Sequence, residues 1–229
     1  MTHLTIIIPV LDEASIINVA LDNLKPIIKK LPIEIIVSDG CSKASTINAI
    51  NPISHKNIKK IQSKKGRASQ MNAAAKIAKS KILLFLHADT KLSIDAGRQI
   101  LDACKNENIA GGAFDLGIDS SSLVFRFIEK AASVRSRLTR IPYGDQAFFI
   151  KSGIFKKLKG FKNISLMEDI EFAQRLKKNN YKIEFINTKV YTSARRWKKQ
   201  GIIFTTLRNI CLSSLFYLGV SPEKLKKYY

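Results

Sequence analysis

Apolar positions recur along this chain in two alternating rhythms. Leu4-Thr-Ile-Ile-Ile-Pro-Val10 is a β-branched run of strand length, too apolar for a half-exposed strand. A turn follows it, and then apolar residues at helical spacing over 14–30. The unit repeats, with strands expected at 34–38, 58–62 and 82–86 and a helix at 67–78. Strands alternating with helices imply right-handed crossovers, hence an α/β fold with a mostly parallel sheet flanked by helices. The second half is less regular: 111–116 and 147–151 read as strands, 123–138 and 168–178 as helices, and 181–192 as one or two closing strands. Without an internal repeat or a low-complexity linker, the simplest division is one domain over 1–200 and a C-terminal helical extension over 201–229.

Composition narrows the class. The 229 residues include 45% hydrophobic ones, enough for a sizeable core and against a disordered chain. Cys41, Cys104 and Cys211 form no CxxC and have no metal-ligand spacing, so neither a disulfide framework nor a zinc site is indicated and a reducing cytoplasm fits. The first apolar run lacks a basic leader and is cut by Pro9, Asp12 and Glu13, unlike a signal peptide. The longest apolar stretch, 201–220, is interrupted by Arg208 and Asn209 and is expected not to span a membrane.

Charge adds one ambiguity. A net +21 invites a nucleic-acid reading, yet lysines outnumber arginines and are scattered in pairs such as Lys29-Lys30 and Lys177-Lys178, without one concentrated block. Nucleotide phosphates and an anionic membrane surface respond to the same field. No nucleic-acid partner is therefore expected. The segment 202–220, flanked by Lys198-Lys199 and by Lys224, Lys226 and Lys227, is expected to pack on the domain or to rest peripherally on the inner membrane face.

In open α/β sheets, ligands sit beyond the carboxyl ends of the strands. Here those ends carry Asp12 and Glu13, Asp39, Lys64 to Arg67, and His87-Ala-Asp89. In this order they resemble the family 2 glycosyltransferases of GT-A fold, over roughly residues 4–197. Ile7-Ile-Pro-Val-Leu-Asp-Glu13 looks like the family's opening strand and Pro-x-x-Asn-Glu turn, and Val37-Ser-Asp-Gly-Cys-Ser42 like its nucleotide loop. Leu84-Phe-Leu-His-Ala-Asp89 resembles the Asp-x-Asp strand, and Met167-Glu-Asp169 the Glu-Asp motif that carries the base. Gly66 to Asn72, Leu86 to Thr90, Gly144 to Gln146 and Leu218 to Glu223 look like a bacterial subgroup associated with radical-SAM and selenium or arsenosugar genes.

The resemblance implies a metal-dependent, inverting glycosyltransferase that moves a sugar from a nucleoside diphosphate, a UDP-sugar, to a hydroxyl acceptor that can be lipid-linked. A departing diphosphate needs neutralising, and a divalent cation on one carboxylate plus phosphates and water can do this. Asp89 is the expected ligand of Mn²⁺ or Mg²⁺. His87 stands where the family's first aspartate would be; it is either a second ligand, better suited to manganese, or a strand-end residue bonded to backbone.

Pro9, Glu13 and Asp39 are expected at the nucleotide. Lys65 and Arg67, before a helix N-terminus, are expected at the diphosphate, together with Arg196 of Ser193-Ala-Arg-Arg-Trp197. Asp169 is the expected general base, beside Glu168, with Asp145 as an orienting carboxylate or secondary base. Acidic residues also favour a helix's first turn for dipole reasons, so 168–169 has a purely structural reading as well. Serine at 193 replaces the glutamine of processive members. Two other readings are a sugar nucleotidyltransferase, which would need a Gly-rich basic loop where Leu11-Asp-Glu-Ala14 stands, and a non-catalytic basic nucleic-acid-binding protein, which leaves the strand-end acids unexplained.

Overall fold

The computed structural model describes residues 3–55 and 57–229; Met1, Thr2 and Lys56 lie outside it. In chain order the elements are β1 (Leu4–Val10), α1 (Ile17–Lys30), β2 (Ile33–Asp39), α2 (Ser45–Asn48), β3 (Lys59–Gln62), α3 (Arg67–Ile77) and β4 (Ile82–Phe85). There follow β5 (Thr90–Lys91), α4 (Ala96–Lys105), β6 (Ile109–Asp119), α5 (Leu123–Thr139), a 3₁₀ turn (Gly144–Gln146), β7 (Phe149–Lys151) and α6 (Ser152–Lys157). The chain closes with α7 (Glu168–Lys178), β8 (Lys182–Ser193), α8 (Arg195–Gln200), α9 (Ile202–Tyr217), α10 (Pro222–Leu225) and a last 3₁₀ turn (Lys226–Tyr228).

The strands form one sheet in the order β3-β2-β1-β4-β7-β6-β8-β5. The first four are parallel, as the alternating pattern predicts. The three-residue β7 then runs antiparallel to both β4 and β6, and β6 pairs parallel with β8, so the sheet is mixed. The region 181–192 forms a single strand whose register against β6 slips between Phe114 and Asp115. Gly111 and Gly112 let β7 and β8 close in on β6: a Cβ on either would lie within 2.2 Å of a neighbouring carbonyl oxygen.

Helices cover both faces, which explains the near-continuous apolar runs. Leu4, Ile6, Ile8 and Val10 of β1 pack with Leu21, Leu24 and Ile27 of α1 and Ile100 of α4. Ile7 faces the other way, towards Ala68, Met71 and Ala74 of α3 and the rings of Phe155, Phe161 and Phe172. The C-terminal segment folds back: Trp197 and Ile202 pack with Phe125 of α5, and Leu212 of α9 packs with Leu166 and Leu225.

Beyond Ile7, β1 has β2 on one side but no strand on the other, because the β4 ladder ends at Phe85. Pro9, with no N–H to offer, falls on this opened stretch. The crevice between the ends of β1 and β4 is where a doubly wound sheet takes its ligand. Gln70 of α3 pins its rim, its buried amide donating to the carbonyls of Val10 and Ser38.

Candidate active site

Beyond the carboxyl end of β4 lies a hollow of about 180 Å³, lined by Arg67, His87, Asp89, Asp145, Asp169 and Arg196 together with Tyr143, Trp197, Asn209 and Tyr229. Residues predicted from five separate stretches of sequence therefore meet in one place.

Each is held by local geometry. Gly66, with φ of +128°, turns the chain so that Arg67 opens α3, and Arg67 Nη1 lies 3.6 Å from Glu168 Oε1. Glu168 itself is buried, its carboxyl raised in pKa by burial and by the adjacent Asp169, with Arg67 opposing. It is the counter-charge of Arg67 and does not line the hollow. Asp169 does: its Oδ1 accepts the amide of Ile170 at 2.8 Å, and its Oδ2 accepts that of Gly144 at 2.5 Å, while the side chain keeps contact with the open space.

The turn bearing Asp145 is fixed by Gln146, which is fully buried. Its Oε1 accepts from the Tyr143 amide and from Ser136 of α5, and its Nε2 donates to Phe114 of β6. Arg135 of α5 stacks over the Tyr143 ring at 3.3 Å. Burial, with a contribution from Asp169 and against Arg135 and Arg67, pushes the Asp145 carboxyl up to about 6.

At the end of β4, withdrawal from water and the guanidiniums of Arg67 and Arg196 press His87 down to about 3, so its imidazole is neutral at ordinary pH. That is the form able to ligate a metal. Asp89 Oδ2 lies 3.6 Å from Arg195 Nη2, which also approaches Glu13 Oε2 at 3.9 Å. Among the described residues no cluster of three or more His, Cys, Asp or Glu is suited to a metal. Asp89 and His87 nevertheless fit a divalent cation whose remaining ligands are diphosphate oxygens and water, since such ions need only one or two protein carboxylates.

Besides Glu168, the expected residues Glu13, Asp39, Lys65 and Pro9 lie outside the lining of the hollow, Glu13 facing Arg195. Asp39 is fully buried, and its carboxylate accepts the amides of Cys41, Thr46 and Ile47, ordering the loop into α2. It shapes that loop and presents no exposed atom to a base. Lys65 is exposed and does not line the hollow. Pro9 lies on β1 at the crevice, paired in register with Ser38.

Asn209 and Tyr229 line the hollow and escaped the sequence reading. Asn209 belongs to the polar pair that interrupts the apolar run 201–220, which is the signal that pointed to it. Tyr229 carried none. Its ring lies 4.7 Å from the Arg196 guanidinium and 5.4 Å from that of Arg208, and its hydroxyl pairs with Arg196.

Residues 5–162 match the family model described as "Glycosyl transferase family 2". The chain belongs to glycosyl transferase family 2. This family 2 glycosyltransferase carries Asp169 and the Thr192–Trp197 wall of its hollow beyond the matched span. No curated protein matches it in sequence. Among solved structures it resembles the mannosyltransferase PcManGT from Pyrobaculum calidifontis, determined in complex with GDP-Man and Mn²⁺, with a TM-score of 0.70 and 17% identity over 99% of this chain and 67% of that one. It also resembles S. aureus TarS 1-349 in complex with UDP, with a TM-score of 0.65 and 16% identity over 84% of this chain and 60% of that one. TarS 1-349 in complex with UDP-GlcNAc gives a TM-score of 0.63, at 16% identity over 84% of this chain and 58% of that one. At such identities the likeness is one of fold, the GT-A arrangement of a mixed sheet between helices.

Proposed function

We propose that this glycosyltransferase moves a sugar from a UDP-sugar to a hydroxyl acceptor in one inverting displacement that depends on Mn²⁺ or Mg²⁺. The observation that carries the reading is the convergence of Asp89, Asp169, Arg67 and Arg196 on one hollow. Two acids of different role and two fixed cations are what a departing diphosphate and an attacking hydroxyl require.

Asp89, with His87 beside it, would hold the cation, which supplies Lewis-acid neutralisation of the diphosphate when bound. A neutral imidazole at 87 favours manganese over magnesium. Arg67, steadied by Glu168, and Arg196 take the phosphate oxygens. Asp169 faces the same space, with the Gly144 amide fixing its carboxylate. The acceptor oxygen bonds to the anomeric carbon as Asp169 takes its proton, and the diphosphate leaves with the electron pair of the broken bond. Asp145 orients the acceptor hydroxyl, and Trp197 offers it a ring. Asp39 acts on the nucleotide indirectly, through the 40–47 loop. The motifs at 66–72, 86–90, 144–146 and 218–223 support membership of the radical-SAM-associated subgroup, with 1–200 as the transferase domain.

The test is calorimetric titration of UDP, and of GDP in parallel, with and without Mn²⁺. Metal-dependent binding of UDP, lost in Asp89→Ala, is the expected result. Failure to bind any nucleoside diphosphate would overturn the proposal, and preference for GDP would correct the base.

A further inference from the structure

We propose that α5 and α9 together form a docking face for an anionic membrane surface. The two helices approach each other near both ends. Near their N-terminal ends, Phe125, Ile128 and Ala132 of α5 pack with Trp197 and Ile202, while near their C-terminal ends Leu138 and Tyr217 line one shallow hollow. Each helix turns a second apolar stripe to solvent. On α5 this is Val124, Phe127, Val134 and Leu138, with Phe127 76% and Leu138 79% exposed. On α9 it is Ile203, Leu207 and Ile210, with Phe204 alongside, Ile203 being 74% exposed.

A surface helix normally covers its apolar face and exposes polar residues. Here α9 is apolar on both sides, so burial on the protein accounts for only half of it. Large contiguous apolar patches of this kind mark contact sites.

Charge identifies the occupant. Residues 123–140 and 195–229 carry thirteen Lys and Arg against two Glu, a net +11 within the chain's +21. Lys130 interrupts the α5 stripe, Lys198 and Lys199 precede α9, and Lys224, Lys226 and Lys227 follow it, all exposed. A second copy of this chain would bring the same positive face against itself. A bilayer rich in anionic headgroups offers both apolar depth and opposite charge. Among the described residues no helix is long and apolar enough to cross a membrane, so the helices would lie in the interface. Since α9 also gives Asn209 to the hollow, docking would set the hollow beside the lipid surface.

Sedimentation with vesicles of phosphatidylcholine, with and without phosphatidylglycerol, tests it. The protein is expected to pellet with the anionic vesicles and to be released by high salt only in part. Phe127→Glu combined with Leu207→Glu, both on exposed positions and checked for folding by circular dichroism, should lower binding by at least about ten-fold. Lys198→Glu combined with Lys199→Glu should lower it at low salt only. Indifference to anionic vesicles at physiological salt would overturn the proposal. So would a concentration-dependent dimer that the Phe127→Glu and Leu207→Glu protein fails to form, because the patch would then belong to a second copy.

Discussion

Asp145→Asn should make the protein more stable above pH 6 and leave it unchanged near pH 4. The Asp145 carboxyl is raised from an ordinary 3.8 to about 6, first by burial and then by Asp169, against the opposing arginines. Between those two values the folded chain keeps a proton that the unfolded chain has released. Stability therefore falls as pH rises through this window and stays reduced above it. At 1.36 kcal/mol per pH unit the cost is bounded at about 3 kcal/mol. Asp145 stands in the wall of an open hollow, where water relieves part of that cost and leaves about 1–2 kcal/mol. Asparagine keeps the shape and cannot ionise, so the cost disappears with it. For a chain of this size the gain corresponds to a Tm higher by roughly 2–8 °C near pH 7.5, and to none near pH 4. Differential scanning fluorimetry across that pH range measures it. An equal gain at both ends would refute the reasoning, since it would come from packing and not from a buried charge.

Three other outcomes follow from the same site. Asp169→Asn retains an acceptor for the Gly144 amide but cannot take a proton, so kcat should drop by about 10²–10⁴ with UDP affinity unchanged by calorimetry. Gln70→Leu removes the amide that holds the ends of β1 and β2, and urea titration should show a loss of about 1–3 kcal/mol, with weaker UDP binding if the crevice rim relaxes. Tyr229→Ala uncovers the guanidinium of Arg196; at about 0.5–1 kcal/mol for one cation–π contact, UDP should bind roughly 2–5-fold more tightly.

The first half of the fold was open to reading because its strands are buried on both faces. Leu4–Val10 and Ile82–Phe85 are apolar without interruption, and the acids that follow them mark their ends. The helix Ala96–Lys105 went unread, since Gly97 and Arg98 fill its first turn and only a few residues, Ile100 among them, reach the core. The start of α1 came three residues later than its apolar spacing suggested. Residues 14–16 instead form a turn in which the amides of Ile16 and Ile17 bond to Glu13. At the site, strand-end carboxylates were visible because position and chemistry coincide. The burial of Asp39 was not, since a carboxylate satisfied by three amides and one open to solvent look alike in sequence. Gln146 was equally hidden: its importance lies in three partners drawn from α5, β6 and its own turn.

The pairing of β6 with β8 sets the order in which this hollow can come into being. Ile109 meets Lys182 and Asp119 meets Ser193, so the ladder forms only after the intervening chain, with α5, β7 and α7, has been drawn in. Parallel contacts so distant in sequence are entropically costly to close and are made slowly. The β1–β2 and β2–β3 ladders close over much shorter stretches, Leu4 meeting Ile33 and Ile36 meeting Lys59, whereas Leu4 meets Ile82 of β4 only across a span as long as that of β6 and β8. During folding, the β1–β2–β3 ladders should therefore acquire protection from hydrogen exchange first, and the β1–β4 pairing and the wall carrying Thr192, Ser193 and Arg196 last. A chain stalled between these stages would expose the long edge of β6, which makes the β6–β8 half the place where misfolding and aggregation begin.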